Sequence, residues 1–251
     1  MTEEKKKASS QKQSDEREGA KSGINLDKDK VDIKKLLEAG VHFGHSKSRK
    51  NPRMEKYIFG TKRGINIIDL QKTVEGLEQA IEFIKQLTKE DKKILLVGTK
   101  KQSKNLIKET GVACGMPFVE ERWLGGTFTN FPVIKKRAQY LKESQDKMNS
   151  GKFEKYTKLE QLKKTEELEK LEKKMGGIKE MTELPGAIFI VDIKNDEIAL
   201  REAIKAGVPV IAMVDTNVNP ENVDYPIPAN DDALSSIKLI LEYIGTAIIK
   251  K

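Results

Sequence analysis

Three short runs of the chain are apolar at every position. A segment with helical spacing of apolar residues follows each run, in the third case after a loop and a further short strand predicted at residues 225–227. The runs are Ile94–Val97, residues 187–191 and Val210–Val214. A strand that is apolar throughout is typical of a parallel sheet that helices cover on both faces. The alternation of such strands with helices therefore predicts an α/β domain with right-handed crossovers.

Residues 132–177 break this alternation, because they carry no strand signal. A turn signal at residues 149–151 divides the segment, and its second half has apolar residues at 159, 162, 168, 171 and 175. This spacing is close to that of a coiled coil, and most of the other positions are Lys or Glu. We therefore expect an antiparallel coiled-coil helical hairpin that projects from the α/β domain.

The rest of the chain divides around this hairpin. Residues 1–30 are rich in Lys, Glu, Ser and Gln, which predicts a disordered charged tail. Residues 31–131 and 178–251 are predicted to form the first and second parts of the α/β domain. Within the first part we expect a basic loop over residues 41–53, strands at 57–59 and 65–68, and a basic helix from about residue 100 to residue 113.

Charge is distributed unevenly along the chain. The formal net charge is +8, and residues 41–63 hold seven basic residues and one acid, whereas residues 178–251 hold seven basic residues and twelve acids. A positive field confined to the first two thirds of the chain favours an anionic partner such as nucleic acid. The single cysteine, Cys114, fits a reducing compartment, and we expect neither a signal peptide nor a membrane span.

The candidate chemical groups support binding better than catalysis. His42 and His45 lie three residues apart, but with Cys114 they are too few to complete a metal site, so we expect no metal and assign the imidazoles to shaping the loop. The turn after Gly98 could hold a phosphate on backbone amides, yet it lacks the known nucleotide-binding glycine patterns. A solvated basic helix face is the alternative explanation of its lysines.

Four aspartates lie near predicted strand ends, where α/β enzymes keep catalytic groups. No nucleophile–base pair accompanies them in the sequence, so we interpret them as caps and turn formers. A nucleotide-dependent α/β enzyme stays open as the alternative function. The four are Asp192, Asp215, Asp231 and Asp232.

Six strings of the sequence together resemble the bacterial small-subunit ribosomal protein S-two family, and they occur in that family's order. The resemblance covers roughly residues 31–249. The chain departs from the family in its longer N-terminal extension and in Asn219, where Asp is more usual. The strings are GVHFGH at residues 40–45, NPRM at 51–54, RWLGGTFTN at 122–130, LEKLEKKMGGIKEM at 168–181, VDTN at 214–217 and PIPANDD at 226–232.

This resemblance implies a flavodoxin-like parallel sheet flanked by helices, with the hairpin as a bacterial or organellar feature. It implies a structural protein of the small ribosomal subunit in the cytoplasm, and not an enzyme. Its expected partners are small-subunit rRNA near the head–body junction, neighbouring ribosomal proteins and the mRNA-binding protein S-one. No cofactor, obligate small molecule or membrane is expected.

The residues that we expect to bind RNA are basic and occur in three groups. Phosphate contacts should dominate, because aromatic residues make up only 6% of the chain. The groups are the first loop and the turn after it (Lys47, Arg49, Lys50, Arg53, Lys62, Arg63), the turn after Gly98 (Lys100, Lys101, Lys104), and the hairpin (Lys135, Lys136, Arg137, Lys163, Lys164).

Overall fold

The computed structural model describes residues 31–150 and 157–250. The predicted disordered tail, residues 1–30, therefore lies outside the described residues. In chain order the elements are α1 (Ile33–Glu38), β1 (Phe43–Ser46), β2 (Ile58–Lys62), β3 (Ile65–Ile68), α2 (Leu70–Lys89), β4 (Ile94–Val97), α3 (Lys104–Cys114), β5 (Phe118–Val119), α4 (Phe131–Asn149), α5 (Lys158–Met175), β6 (Ala187–Ile190), α6 (Glu197–Ala206), β7 (Val210–Val214), β8 (Tyr225–Pro228) and α7 (Leu234–Ile249).

The main sheet has five parallel strands in the order β5-β4-β6-β7-β8. Numbered from β4, this is the 2-1-3-4-5 order of flavodoxin-like folds. The predicted α/β fold class is therefore confirmed. Every residue of β4, β6 and β7 is buried, which explains why these strands are continuous apolar runs.

Two hydrophobic clusters cover the two faces of this sheet. Along β4, Ile94 and Leu96 belong to one cluster, and Leu95 and Val97 belong to the other. The first cluster is completed by helices α1, α2, α3 and α7. The second is completed by α6, the base of the α4–α5 hairpin and Met54, which directly follows the first loop. The hairpin base and Met54 thus lie on the same face of the sheet.

A second, smaller sheet holds the first basic loop. It is antiparallel with the order β1-β3-β2, and β2 and β3 are joined by Arg63 and Gly64, both with positive φ. The predicted strand at residues 65–68 is confirmed, and the one at 57–59 is displaced to Ile58–Lys62. The prediction of a loop over 41–53 was wrong for Phe43–Ser46, which pairs with β3.

Helices α4 and α5 lie between β5 and β6 in the chain, as predicted for the hairpin. The side chain of Gln145 on α4 donates to Glu172 on α5 at 2.8 Å, and Lys135 donates to the Thr182 carbonyl at 2.9 Å. Position 135 thus lies beside position 182, and position 145 lies beside position 172. Because the partner numbers fall as the numbers along α4 rise, the two segments run antiparallel.

The packing of the hairpin differs between its base and its far end. Leu141, Leu168 and Met175 are buried in the cluster that also covers the sheet, whereas Leu159 and Leu162 are 61% and 57% exposed. The Gln145–Glu172 contact places the end of α4 near Leu168, so the first turns of α5 extend beyond α4. Coiled-coil packing along the whole predicted seam is therefore not confirmed.

Within the described residues, no helix is both long and apolar enough to cross a membrane. The terminal helix α7, which contains the longest apolar stretch of the sequence, is instead buried over ten of its residues. Those residues pack against α2 and α3 on one face of the main sheet.

Candidate nucleic-acid interface

The structure brings the first basic loop and the β2–β3 turn together. The backbone amide of Lys47 donates to the carbonyl of Gly64 at 2.9 Å, which places residues 47–49 beside the turn that carries Lys62 and Arg63. Lys47, Arg49, Lys62 and Arg63 are all exposed. No acidic side chain among the described residues forms an ion pair with any of these four. They therefore make one exposed cationic surface, which we call the turn surface.

The other two basic residues of the first loop have acidic partners. Lys50 pairs with Glu55, and Arg53 pairs with Glu221 at 2.8 Å. The amide of Asn51 also donates to the carbonyl of Thr216 at 2.8 Å. Arg53 and Asn51 thus fasten the loop to the segment after β7. To bind a phosphate, Lys50 would have to release Glu55, and Arg53 would have to release Glu221.

The hairpin carries the second basic surface. Lys135, Lys136 and Arg137 lie exposed on the first turns of α4, where the hairpin leaves the body. The Lys135 ammonium donates to a carbonyl, so its charge is not neutralised. Lys163 is exposed and Lys164 half-buried on the part of α5 that extends beyond α4. The structure therefore separates the five predicted hairpin residues into a group at the base and a group further out.

The lysines after Gly98 differ from the expectation. Helix α3 begins at Lys104 rather than near residue 100, so Lys100 and Lys101 lie in the turn between β4 and the helix. Lys101 is exposed, and Lys104 pairs with Glu121 at 2.7 Å. Lys100 is turned towards carboxylates: its Nζ lies 3.1 Å from Asp192, 3.0 Å from Asp231 and 2.6 Å from Asp232. A phosphate approaching Lys100 would meet three anions, and we leave this residue out of the interface.

These carboxylates belong to an acidic cluster at the carboxyl edge of the main sheet. Asp192, Asp215 and Asp231 follow β6, β7 and β8, so the parallel sheet brings them to one edge. On β1, His45 reaches the same edge, with Nδ1 at 3.0 Å from Asp215 and Nε2 at 3.4 Å from Asp232. The sequence placed these four aspartates near strand ends, but it did not predict their contacts with Lys100 and His45, because those residues come from distant segments of the chain.

The predicted role of one aspartate as a turn former is visible directly. Asp192 accepts hydrogen bonds from the amides of Lys194 and Asn195 at 2.8 and 3.1 Å. The same carboxyl group also pairs with Lys100. Asp192 therefore shapes its turn and belongs to the acidic cluster.

Burial and mutual repulsion shift the pKa values within the cluster. Burial, with Asp192 and Asp215 nearby, raises the pKa of Asp231 to about 7. Asp196, the N-cap residue of α6, lies beside the cluster, and burial raises its pKa to about 6. The Lys100 pKa is raised, because hydrogen bonds and attraction from Asp231 and Asp232 outweigh its burial. The hydrogen bond to Asp215 is the main cause of the raised His45 pKa. The raised pKa of Asp231 means that Lys100 does not fully offset the burial of this carboxyl group and its repulsion from Asp192 and Asp215.

One group of described residues could supply ligands to a metal ion. Ligand atoms of His45, Asp231 and Asp232 lie within 4.8 Å of one another, and Asp215 orients the imidazole from its other nitrogen. Lys100 already pairs with both of these aspartates. His42 does not belong to this group; its ring packs against Phe43 at a tilt of 38°, with the ring centroids 4.1 Å apart, and burial lowers the pKa of His42. The expectation of no metal site, which considered histidines and cysteine alone, stays a prediction.

The crevice at this edge is unsuited to a nucleotide. In flavodoxin-like sheets the ligand site lies where the strand order reverses, here between β4 and β6. The Thr99 hydroxyl in that crevice donates to Asp196 at 2.8 Å, and Lys100 is held by the acidic cluster. Phosphate groups would be repelled by these carboxylates. The geometry therefore gives no support to the nucleotide-dependent enzyme.

Comparison with known proteins agrees with the motifs. Residues 36–251 match the family model described as ribosomal protein S2. Proteins named small ribosomal subunit protein uS2 are similar over 88% of this chain: 50% identical in Dehalococcoides mccartyi, 49% in Treponema pallidum and 48% in Chloroflexus aurantiacus. The matches cover 90%, 76% and 92% of those three proteins. The chain belongs to the ribosomal protein S2 family.

Proposed function

We propose that this chain is a structural component of the small ribosomal subunit that binds small-subunit rRNA near the head–body junction. The observation that carries the proposal is the turn surface, where Lys47, Arg49, Lys62 and Arg63 are exposed without acidic partners among the described residues. Family membership supports the same conclusion, because the relatives are named as small-subunit proteins. No catalytic step is part of this function.

Phosphates are the groups that this surface suits best. Its cations lie at the end of β2, on the two-residue turn after β2 and on a short 3-10 helix, which fix their backbone positions before RNA arrives. A preformed surface loses less conformational entropy on binding than a flexible one. Folded rRNA offers phosphates and 2′-hydroxyls in a defined shape, and these need no aromatic platform. The basic residues at the hairpin base and on α5 provide further contacts of the same kind.

Salt dependence of rRNA binding tests this proposal. Replacement of Lys47, Arg49 and Lys62 by Gln should reduce the magnitude of the log–log salt slope, by about 0.7–0.9 for each phosphate that is no longer neutralised if the behaviour of simple nucleic acids is a guide. The matched control replaces the exposed Lys85, Lys89 and Lys238 by Gln, with the same change in net charge. Equal slopes for the two triple variants would show that only net charge matters, and would contradict a specific surface.

We also propose that the acidic cluster faces a protein rather than RNA, and that protein S-one is the partner docked there. Carboxylates repel phosphates, and Asp232 keeps 53% of its side chain exposed at the rim of the cluster. Protein interfaces use such complementary charges to orient a partner. The variant Asp232→Asn should weaken S-one binding in a titration, whereas Glu197→Gln on the exposed side of α6 should not. Unchanged affinity in Asp232→Asn would contradict this location.

A further inference from the structure

One buried carboxylate binds the backbone of the loop that leads into the hairpin. Glu202 lies on α6 and is only 8% exposed. It accepts hydrogen bonds from the amides of Gly126 at 2.6 Å, Phe128 at 3.0 Å and Thr129 at 3.4 Å. The contact spans more than seventy residues of sequence. It joins the body directly to the segment from which α4 departs.

The loop is built so that its amides converge on this carboxylate. Gly126 has φ +89°, a conformation that other residues rarely adopt, and its carbonyl accepts from the amide of Asn130 at 2.8 Å. The hydroxyl of Thr127 donates to the carbonyl of Leu124 at 2.6 Å. Asn130 is the N-cap of α4, so the loop passes into the helix without a flexible linker. The direction of α4 is therefore set by the orientation of this loop.

The electrostatic balance favours an ionised Glu202. Burial alone would raise the pKa of Glu202, but the hydrogen bonds from Gly126, Phe128 and Thr129 outweigh it and hold the pKa below its usual value. The carboxylate also lies close to the N-terminal end of α4, where the helix dipole favours negative charge. The Asn130 side chain makes no capping hydrogen bond. Glu202 thus supplies negative charge near a helix end that lacks a side-chain cap.

From this geometry we propose that Glu202 is a positioning residue: it fixes the direction of the hairpin relative to the α/β body and so places the basic residues of the hairpin for RNA. The second half of the statement rests on the proposed function. The first half depends only on the contacts of Glu202.

Apolar packing alone is the competing explanation. Trp123 and Phe128 pack edge to face with ring centroids 5.1 Å apart, and both are buried. Such a pair resists separation, but it leaves the three amides without their acceptor if Glu202 is changed. A buried amide without a partner is costly, so the loop would turn to reach water or another acceptor. If apolar packing alone fixes the loop, removal of the charge of residue 202 should leave the direction of the hairpin unchanged. If Glu202 fixes the loop, the same change should make that direction variable.

The variant Glu202→Gln makes that change with little alteration of size. Spin labels at the exposed positions Lys142 on α4 and Lys238 on α7, both changed to Cys in a Cys114→Ser background, report the distance between hairpin and body. The distance distribution should broaden in Glu202→Gln, and the amides of Gly126, Phe128 and Thr129 should exchange with solvent about tenfold faster. The control Glu197→Gln removes an exposed carboxylate that pairs with Arg201 on the same helix, and should leave both measurements unchanged.

An unchanged distance distribution in Glu202→Gln would overturn the proposal. If this variant does not fold, Glu202→Asp retains the charge but shortens the side chain, and a narrow distribution there would also overturn it. The amount of Glu202→Gln that is incorporated into small subunits distinguishes the two halves of the proposal, which are the positioning of the hairpin and its contact with RNA. Broadening with normal occupancy would retain the positioning role and reject the hairpin as an RNA contact. A second variant, in which Lys136 and Arg137 are reversed to Glu, tests the RNA contact by itself. Loss of this variant from subunits, together with a narrow distance distribution in Glu202→Gln, would reject the positioning role alone.

Discussion

Replacement of Lys100 by Met should destabilise the protein more at pH 8 than at pH 5. Lys100 is the cation that Asp192, Asp231 and Asp232 share, and it is itself only 20% exposed. Its removal leaves Asp231, 2% exposed, and Asp192, 7% exposed, as buried anions without this partner. Breaking a buried ion pair on one side typically costs about 3–5 kcal/mol. Because Asp232 is largely exposed, we expect about 2–4 kcal/mol at pH 8.

The pH dependence follows from Asp231. Burial raises its folded-state pKa to about 7, from an ordinary value of 3.8 for an aspartate. Ionisation of this residue therefore costs folding free energy as the pH rises from about 4 to about 7. At pH 5 the Asp231 carboxyl is protonated in the native state and needs no partner. The cost of losing Lys100 should then fall to about 1–2 kcal/mol.

Thermal unfolding in buffers that contain a chelator measures this difference. For a chain of this size, 2–4 kcal/mol corresponds to a midpoint lowered by roughly 6–12 °C at pH 8, and by less at pH 5. The neighbouring exposed residue gives the control, Lys101→Met, which should shift the midpoint little at either pH. A loss in Lys100→Met that is equal at the two pH values would refute the reasoning, because Asp231 would then not be the group that Lys100 stabilises.

Three further outcomes are expected. Arg63→Asn should raise the free energy of unfolding by about 0.5–1 kcal/mol in denaturant titrations, because Arg63 has φ 52° and Asn tolerates that conformation better; no gain would contradict the assigned turn. Replacing residues 150–164 by a short Gly/Ser linker should leave thermal unfolding cooperative and its midpoint little changed, since Leu159 and Leu162 are exposed; loss of cooperativity would contradict this. Chelation of divalent cations should not shift the midpoint, because Lys100 already pairs with Asp231 and Asp232; unfolding on chelation would reveal an obligatory metal.

The main sheet could be predicted from the sequence because burial on both faces leaves an unmistakable apolar run, as at Ile94–Val97. The strand Phe43–Ser46 could not, since it is short, contains Gly and His, and is stabilised by pairing with β3 rather than by its own pattern. The hairpin helices followed from their helical spacing. Their packing did not, because it depends on where α4 ends relative to Leu159 and Leu162.

The basic surfaces were predictable as clusters of charge, but their partners were not. Lys100 looks like its neighbour Lys101 in the sequence, and only the strand order brings aspartates from more than ninety residues away to its ammonium. Glu202 is equally inconspicuous, because a Glu on an amphipathic helix normally faces water. Its burial depends on a loop that precedes it by more than seventy residues. Sequence spacing carries no information on such contacts.

Occupancy of small ribosomal subunits by a variant of the turn surface tests the central claim most directly. Lys47, Arg49 and Lys62 are changed to Glu, and the control reverses the exposed Lys85, Lys89 and Lys238, so both variants have the same net charge. Subunits from cells that express each variant are purified, and the variant is quantified by mass spectrometry. We predict that the turn-surface variant is depleted from subunits while it stays folded in isolation, and that the control is incorporated normally. Equal incorporation of the two variants would contradict rRNA binding through this surface.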